Sequence, residues 1–129
     1  LDVNVWMLVR LIVVMCVIAF MLTSFGLAIA SRMSSMEGFQ MIMNFLIIPM
    51  WLLSGAFFPL QGVPGWMLVL MRLDPLTYGV DALRGVIYEG TALAESLVAH
   101  GFALNMAVML LVAAVTFLLA LVTFRTREA

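Results

Sequence analysis

The sequence predicts an all-α integral membrane fold: three membrane-spanning helices, with a re-entrant or amphipathic helical pair between the last two. Three observations lead there. Of 129 residues, 66% are hydrophobic and 10% charged, and the mean hydropathy is +1.22. Soluble domains are about 45–50% apolar and about 25% charged. Charge-free runs cover residues 11–31, 38–71 and 101–124, and about 20 apolar residues span a hydrocarbon core of about 30 Å. The segment between the last two spans is broken by proline and glycine and then turns amphipathic.

This composition excludes whole function classes. The polar surface is too small to coat a water-soluble enzyme. A net charge of −1 offers no basic face for nucleic acid. Cys16 is the only cysteine, which excludes an internal disulfide framework or a cysteine-based metal site; it reads as a packing residue.

The first span is expected over about 8–31, with Arg10 snorkelling to the headgroups at its start. Ser24, Gly26, Ala28 and Ala30 offer small residues for tight helix contact. The second is expected over about 35–57. Ser34-Ser35-Met36-Glu37 carries a Ser-x-x-Glu capping signature before an apolar run. Ser54-Gly55, then Pro59, Gly62, Pro64 and Gly65, end the span. Pro49 should kink it, so Pro49, Ser54 and Gly55 read either as a hinge or as a fixed kink with a close helix contact. Residues about 58–90 form the re-entrant and amphipathic segment. Asp74-Pro75 is an N-cap with proline at the first helical position. Leu76, Val80, Leu83 and Ile87 share one face of the helix that follows, and Thr77, Asp81, Arg84 and Tyr88 the other. Asp81 and Arg84 are spaced to pair on that face, either as a rim contact or as an outer gate. The third span is expected over about 101–124. His100, the single histidine, sits at its entrance and cannot make a metal site alone.

All six basic residues are arginines. Arg32 follows the first span, and Arg125 and Arg127 follow the third. The positive-inside rule places these ends in the cytoplasm and residues 57–100 outside. With an odd number of spans, Leu1 then lies outside. The chain is therefore expected to be part of a longer protein with spans before it.

Two runs carry a family resemblance. Leu53-Ser54-Gly55-Ala56-Phe57-Phe58-Pro59 closes the second span, followed by Pro64-Gly65-Trp66. Pro75-Leu76-Thr77-Tyr78, five residues and Arg84 open the amphipathic helix. This outline resembles the C-terminal half of an ABC-2 type transporter permease, closest in pattern to the daunorubicin-resistance drug-export type. Asp74 stands where the family commonly has Asn, and either caps a helix.

The resemblance implies helices four to six of a six-helix permease, with residues 1–129 forming the C-terminal part of its transmembrane domain. It implies a multi-pass protein of the plasma (inner) membrane with a cytoplasmic C-terminus. It assigns Phe57, Phe58, Pro59, Pro64, Trp66, Pro75, Leu76, Thr77, Tyr78, Asp81 and Arg84 to the outer re-entrant motif. The implied function is the membrane subunit of an exporter for a drug, lipid or glycan-type substrate, working beside a second permease copy, as homodimer or heterodimer. An ABC ATPase subunit would hold the ATP-Mg, since this chain has no phosphate-binding Gly-x4-Gly-Lys-Ser/Thr run. Arg32, Ser34 and Glu37 are the loop residues that could face that ATPase; the alternative is a plain capped turn. Phe25, Met43, Phe45 and Met50 are the candidate path-lining residues. The chain itself carries no catalytic, cofactor-binding or metal residues by this reading, and membrane lipid is its surroundings. The rival reading is a non-transporting membrane scaffold or assembly protein.

Overall fold

A computed structural model of the chain describes residues 3–55, 62–89, 91, 98 and 100–128. Phe57, Phe58 and Pro59 lie outside the described residues. Among the described residues five helices follow in order: α1 (Val5–Ala30), α2 (Met36–Leu52), α3 (Gly65–Leu73), α4 (Pro75–Ile87) and α5 (Phe102–Glu128).

Among the described residues two helices are long and apolar enough to cross a membrane, Val5–Ala30 and Phe102–Thr126. Only 11% and 17% of their apolar windows are buried. Helices at the core of a soluble protein would be buried instead, so these apolar faces belong to lipid or to further helices. Asn4 caps α1, its side chain accepting from the Met7 N–H at 2.7 Å. Ser31 ends α1, its hydroxyl turned back to the Ala28 carbonyl.

The second apolar helix is shorter than expected. It stops at Leu52, not near residue 57. Leu53 N–H bonds the Pro49 carbonyl, and Gly55 adopts φ 89°, the left-handed conformation that terminates helices. The helix starts where expected, just after Ser35, but not through the expected box. Ser35, not Ser34, is the cap, accepting from Gly38 N–H at 3.1 Å. Glu37 lies in the first turn, where a carboxylate complements the helix dipole, but glycine at the position that would answer the cap leaves no side chain for a reciprocal bond.

The core lies between α1, α4 and α5. Val14 and Met21 of α1, Ala82 and Val86 of α4, and Met109 and Ala113 of α5 are its buried members. Phe20 and Phe117 meet at 6.0 Å between ring centroids. Gly79 lets α4 approach this closely: an added Cβ would fall 2.9 Å from Ile18 Cγ1 and 3.3 Å from Met109 Sδ. By contrast α2 buries no residue. It meets α1 where the Met43 methyl comes within 3.7 Å of a Cβ position on Gly26. Cys16, expected to pack, is exposed on α1, because the packed stripe runs through Val14, Ile18 and Met21.

Candidate functional site

The face of α4 that turns into the protein mixes polar and small apolar residues. Thr77, Gly79, Asp81, Ala82 and Val86 are buried, while Leu76, Val80, Leu83 and Ile87 are half-buried. Thr77, Asp81 and Arg84 each reach the end of another helix. A helix end leaves four carbonyls or four N–H groups without intrahelical partners; in an apolar layer those groups need donors and acceptors from the protein.

Asp74 opens α4 as expected. Its Oδ1 accepts from Leu76 N–H at 3.0 Å, with Pro75 at the first helical position. Its Oδ2 is buried without a hydrogen-bond partner. Burial raises its pKa from 3.8 to about 6, and the Leu76 N–H holds it lower than it would otherwise be. Thr77 donates to the Met71 carbonyl at 2.6 Å, with the Leu53 carbonyl at 3.3 Å on its other side. Tyr78 Oη donates to the Arg72 carbonyl at 2.9 Å. Met71 and Arg72 are in the last turn of α3, so two neighbouring α4 side chains serve one helix end.

Arg84 and Asp81 have different partners. The Arg84 guanidinium donates to the Gly55 carbonyl, just past the end of α2. A cation there complements the negative end of the α2 dipole. Asp81, 3% exposed, takes the positive end of α5: its Oδ2 accepts from His100 N–H and from Asn105 Nδ2, both at 2.8 Å. The His100 ring adds Nδ1 at 3.6 Å from the same oxygen and stacks on Tyr78 at 5.4 Å. The spacing suggested that the two side chains would pair with each other; the fold uses them to hold two separate helix ends.

At the α5 end a second junction forms. Arg10 pairs with Glu89, beyond the end of α4, and lies over the Phe102 ring at 4.9 Å from its centroid. Arg10 was expected to seek headgroups. It has a protein partner because α1 and α5 run side by side and bring residues 10 and 102 to one level.

The remaining sequence candidates are dispersed. Trp66 is 67% exposed at the start of α3, where Pro64 makes no side-chain cap. Ser54 is buried, its hydroxyl on the Trp51 carbonyl at 2.6 Å. Phe25 lines a groove between α1 and α5 that also includes Arg32. Met43 faces Gly26, Met50 is half-buried, and Phe45 is 79% exposed. Ser34 and Glu37 are exposed in the turn and first turn around the α2 cap. The structure brings Thr77, Tyr78, Asp81 and Arg84 into one assembly and does not bring the four path-lining candidates together.

Sequence reasoning missed Asn105, which is fully buried. The available signal was a lone asparagine early in a 24-residue charge-free run (101–124), since a polar side chain at membrane depth needs a named partner. Gly79 was also missed, being one glycine within an amphipathic pattern.

The sequence profile of the ABC-2 type transporter family matches residues 1–88. No curated protein and no solved structure gives a match.

Proposed function

The chain belongs to the ABC-2 type transporter family, and from that premise we propose that it is the C-terminal part of the permease subunit of an ATP-driven exporter. The observation that carries this reading is the α4 assembly. A helix whose Thr77, Arg84 and Asp81 hold the ends of α3, α2 and α5 is built for a short element set into an apolar layer beside spanning helices. That is the role of an outer re-entrant plug between the last two helices of such a permease.

On this reading α1, α2 and α5 are helices four to six. The bare α2 surface is where the other helices of the permease or a second permease copy pack, and the path runs along that surface. ATP binds a separate ABC ATPase subunit, whose closure rocks the helix bundles between inward and outward access. The chain contributes no chemistry of its own. The Arg32–Glu37 turn lies on the side facing the ATPase, with Arg125 and Arg127 in the cytoplasmic tail, in the plasma (inner) membrane. Pro75-Leu76-Thr77-Tyr78 with Asp81 and Arg84 favours the daunorubicin-resistance type of drug exporter over lipid or glycan exporters.

The test is to purify the full-length protein in mild detergent, identify what accompanies it, and measure efflux from inverted vesicles. A P-loop ATPase in comparable amount and ATP-dependent movement of a drug-like amphiphile are the expected results. A product that carries no ATPase and moves nothing with ATP would make it a membrane scaffold.

A further inference from the structure

We propose that the groove between α1 and α5 at the Arg32 end is a binding site for one anionic phospholipid. The groove encloses about 430 Å³, within the size range of small-molecule sites. Phe25, Ala28 and Ile29 of α1 form one wall, and Thr116 and Leu119 of α5 the other. Arg32 stands at its end, two residues past the last residue of α1.

The walls are apolar in effect as well as in composition. The Thr116 hydroxyl donates to the Val112 carbonyl at 2.8 Å in its own helix. The neighbouring Ser31 hydroxyl donates to the Ala28 carbonyl at 2.7 Å. Both hydroxyls are therefore already bonded within their own segments, and the groove presents hydrocarbon to an occupant. Among the described residues Arg32 is the only charged one lining it. Among the described residues the salt bridges are Arg10–Glu89 and His100–Asp81, so the Arg32 guanidinium has no carboxylate there.

Position and charge together select the occupant. α1 is 26 residues long, about 39 Å, against a core of about 30 Å, so a residue just past its end sits among headgroups. A cation there with an apolar furrow running from it into the membrane suits a phosphate headgroup bearing an acyl chain. A helix from a partner protein would have to bring its own carboxylate to this point. The proposal rests on the chain's membrane embedding, not on export, and on Arg32 meeting lipid in place of an ATPase.

The experiment is native mass spectrometry of the full-length protein taken from phosphatidylcholine vesicles containing a minority of phosphatidylglycerol. Wild type is expected to retain phosphatidylglycerol above its share of the bilayer. Arg32→Gln should lower that enrichment about five-fold, the worth of one arginine near a lipid surface, while Arg32→Lys keeps most of it. Ala28→Phe, which fills the furrow, should lower retention of both lipids. Retention in the bulk ratio by wild type overturns the proposal. So does unchanged enrichment in Arg32→Gln, whether or not that variant loses an accompanying ATPase. Size-exclusion profiles of all three variants establish that they are folded when compared.

Discussion

Replacing Asp81 with alanine removes the acceptor that ties α4 to the start of α5. The carboxylate is 3% exposed and Asn105 is fully buried. Among the described donors, His100 N–H and Asn105 Nδ2, each bonded at 2.8 Å, lose this acceptor, and Asn105 Nδ2 keeps the longer bond to the His100 carbonyl at 3.4 Å. Interhelical hydrogen bonds in membrane proteins average about 0.6 kcal/mol and reach about 1.7, which alone gives about 1–3 kcal/mol for the pair. A buried donor left unsatisfied costs about 1–3 kcal/mol, and part of that cost applies to Asn105. We therefore expect Asp81→Ala to cost about 2–4 kcal/mol. Asp81→Asn keeps an acceptor of the same shape and should cost about half as much. Reversible unfolding in mixed micelles, followed by tryptophan fluorescence, measures both. Asn105→Ala combined with Asp81→Ala completes a double-mutant cycle, with an expected coupling of about 1 kcal/mol. If Asp81→Ala lies within about 0.5 kcal/mol of wild type, the range of an ordinary surface change, the reasoning fails: the carboxylate holds nothing.

Further outcomes follow from the same contacts. Gly79→Ala should cost about 1–3 kcal/mol by overpacking, because its Cβ would sit 2.9 Å from Ile18 Cγ1; combined with Ile18→Ala, the loss in the same unfolding assay should be smaller than the two single losses summed. Thr77→Val removes the hydroxyl from the Met71 carbonyl and should cost about 1 kcal/mol, while Arg84→Met should speed hydrogen exchange at residues 53–55 and leave the middle of α1 protected. Asp74, in the turn before α4 and outside the spans, has its pKa raised to about 6. Its folded value exceeds the unfolded one, so its contribution is complete below pH about 4 and is lost as pH rises through about 6. Asp74→Asn keeps the cap and should flatten that part of the stability-pH curve measured by thermal unfolding; an unchanged slope would place the titration elsewhere.

What the sequence made legible is what depends on neighbouring residues. Charge-free runs located α1 and α5 because each helix satisfies its own backbone and needs only apolar side chains. Asp74-Pro75 located the start of α4 because capping acts over two or three residues. The end of α2 was misjudged because a left-handed Gly55 and the Leu53–Pro49 bond, not the apolar run, decide it. The partners of the polar residues were not legible. Asp81 meets Asn105 24 positions away and Arg10 meets Glu89 79 positions away, and nothing in local spacing encodes such distances. Asp81 and Arg84, close in sequence, looked like partners because spacing reports only what shares a face. Which face turns inward was also hidden: Thr77 and Asp81 are buried beside Ala82 and Val86, while Leu76 and Val80 are half-buried.

The helix ends around α4 explain why it carries these residues in this order. At 17 residues, α2 is about 25 Å long, shorter than the hydrocarbon core, and α3 has nine residues and cannot cross at all. On the re-entrant reading proposed above, their ends would expose carbonyls in a layer that cannot hydrate them. Thr77 and Tyr78 take those of α3, and Arg84 takes that of Gly55 beyond α2, at the negative end of its dipole. Asp81 sits instead at the N-terminal, positive end of α5. The two charges are thus matched to helix ends of opposite sign, and exchanging them tests this against simple pairing. Were they chiefly partners of each other, the double variant Asp81→Arg with Arg84→Asp would restore what either single change removes. On the dipole argument it places a cation at the start of α5 and an anion at the end of α2. It should then be at least as unstable as the worse single variant. Thermal unfolding of the two single variants and the double decides it, and recovery to wild-type stability would return Asp81 and Arg84 to the status of an ordinary ion pair.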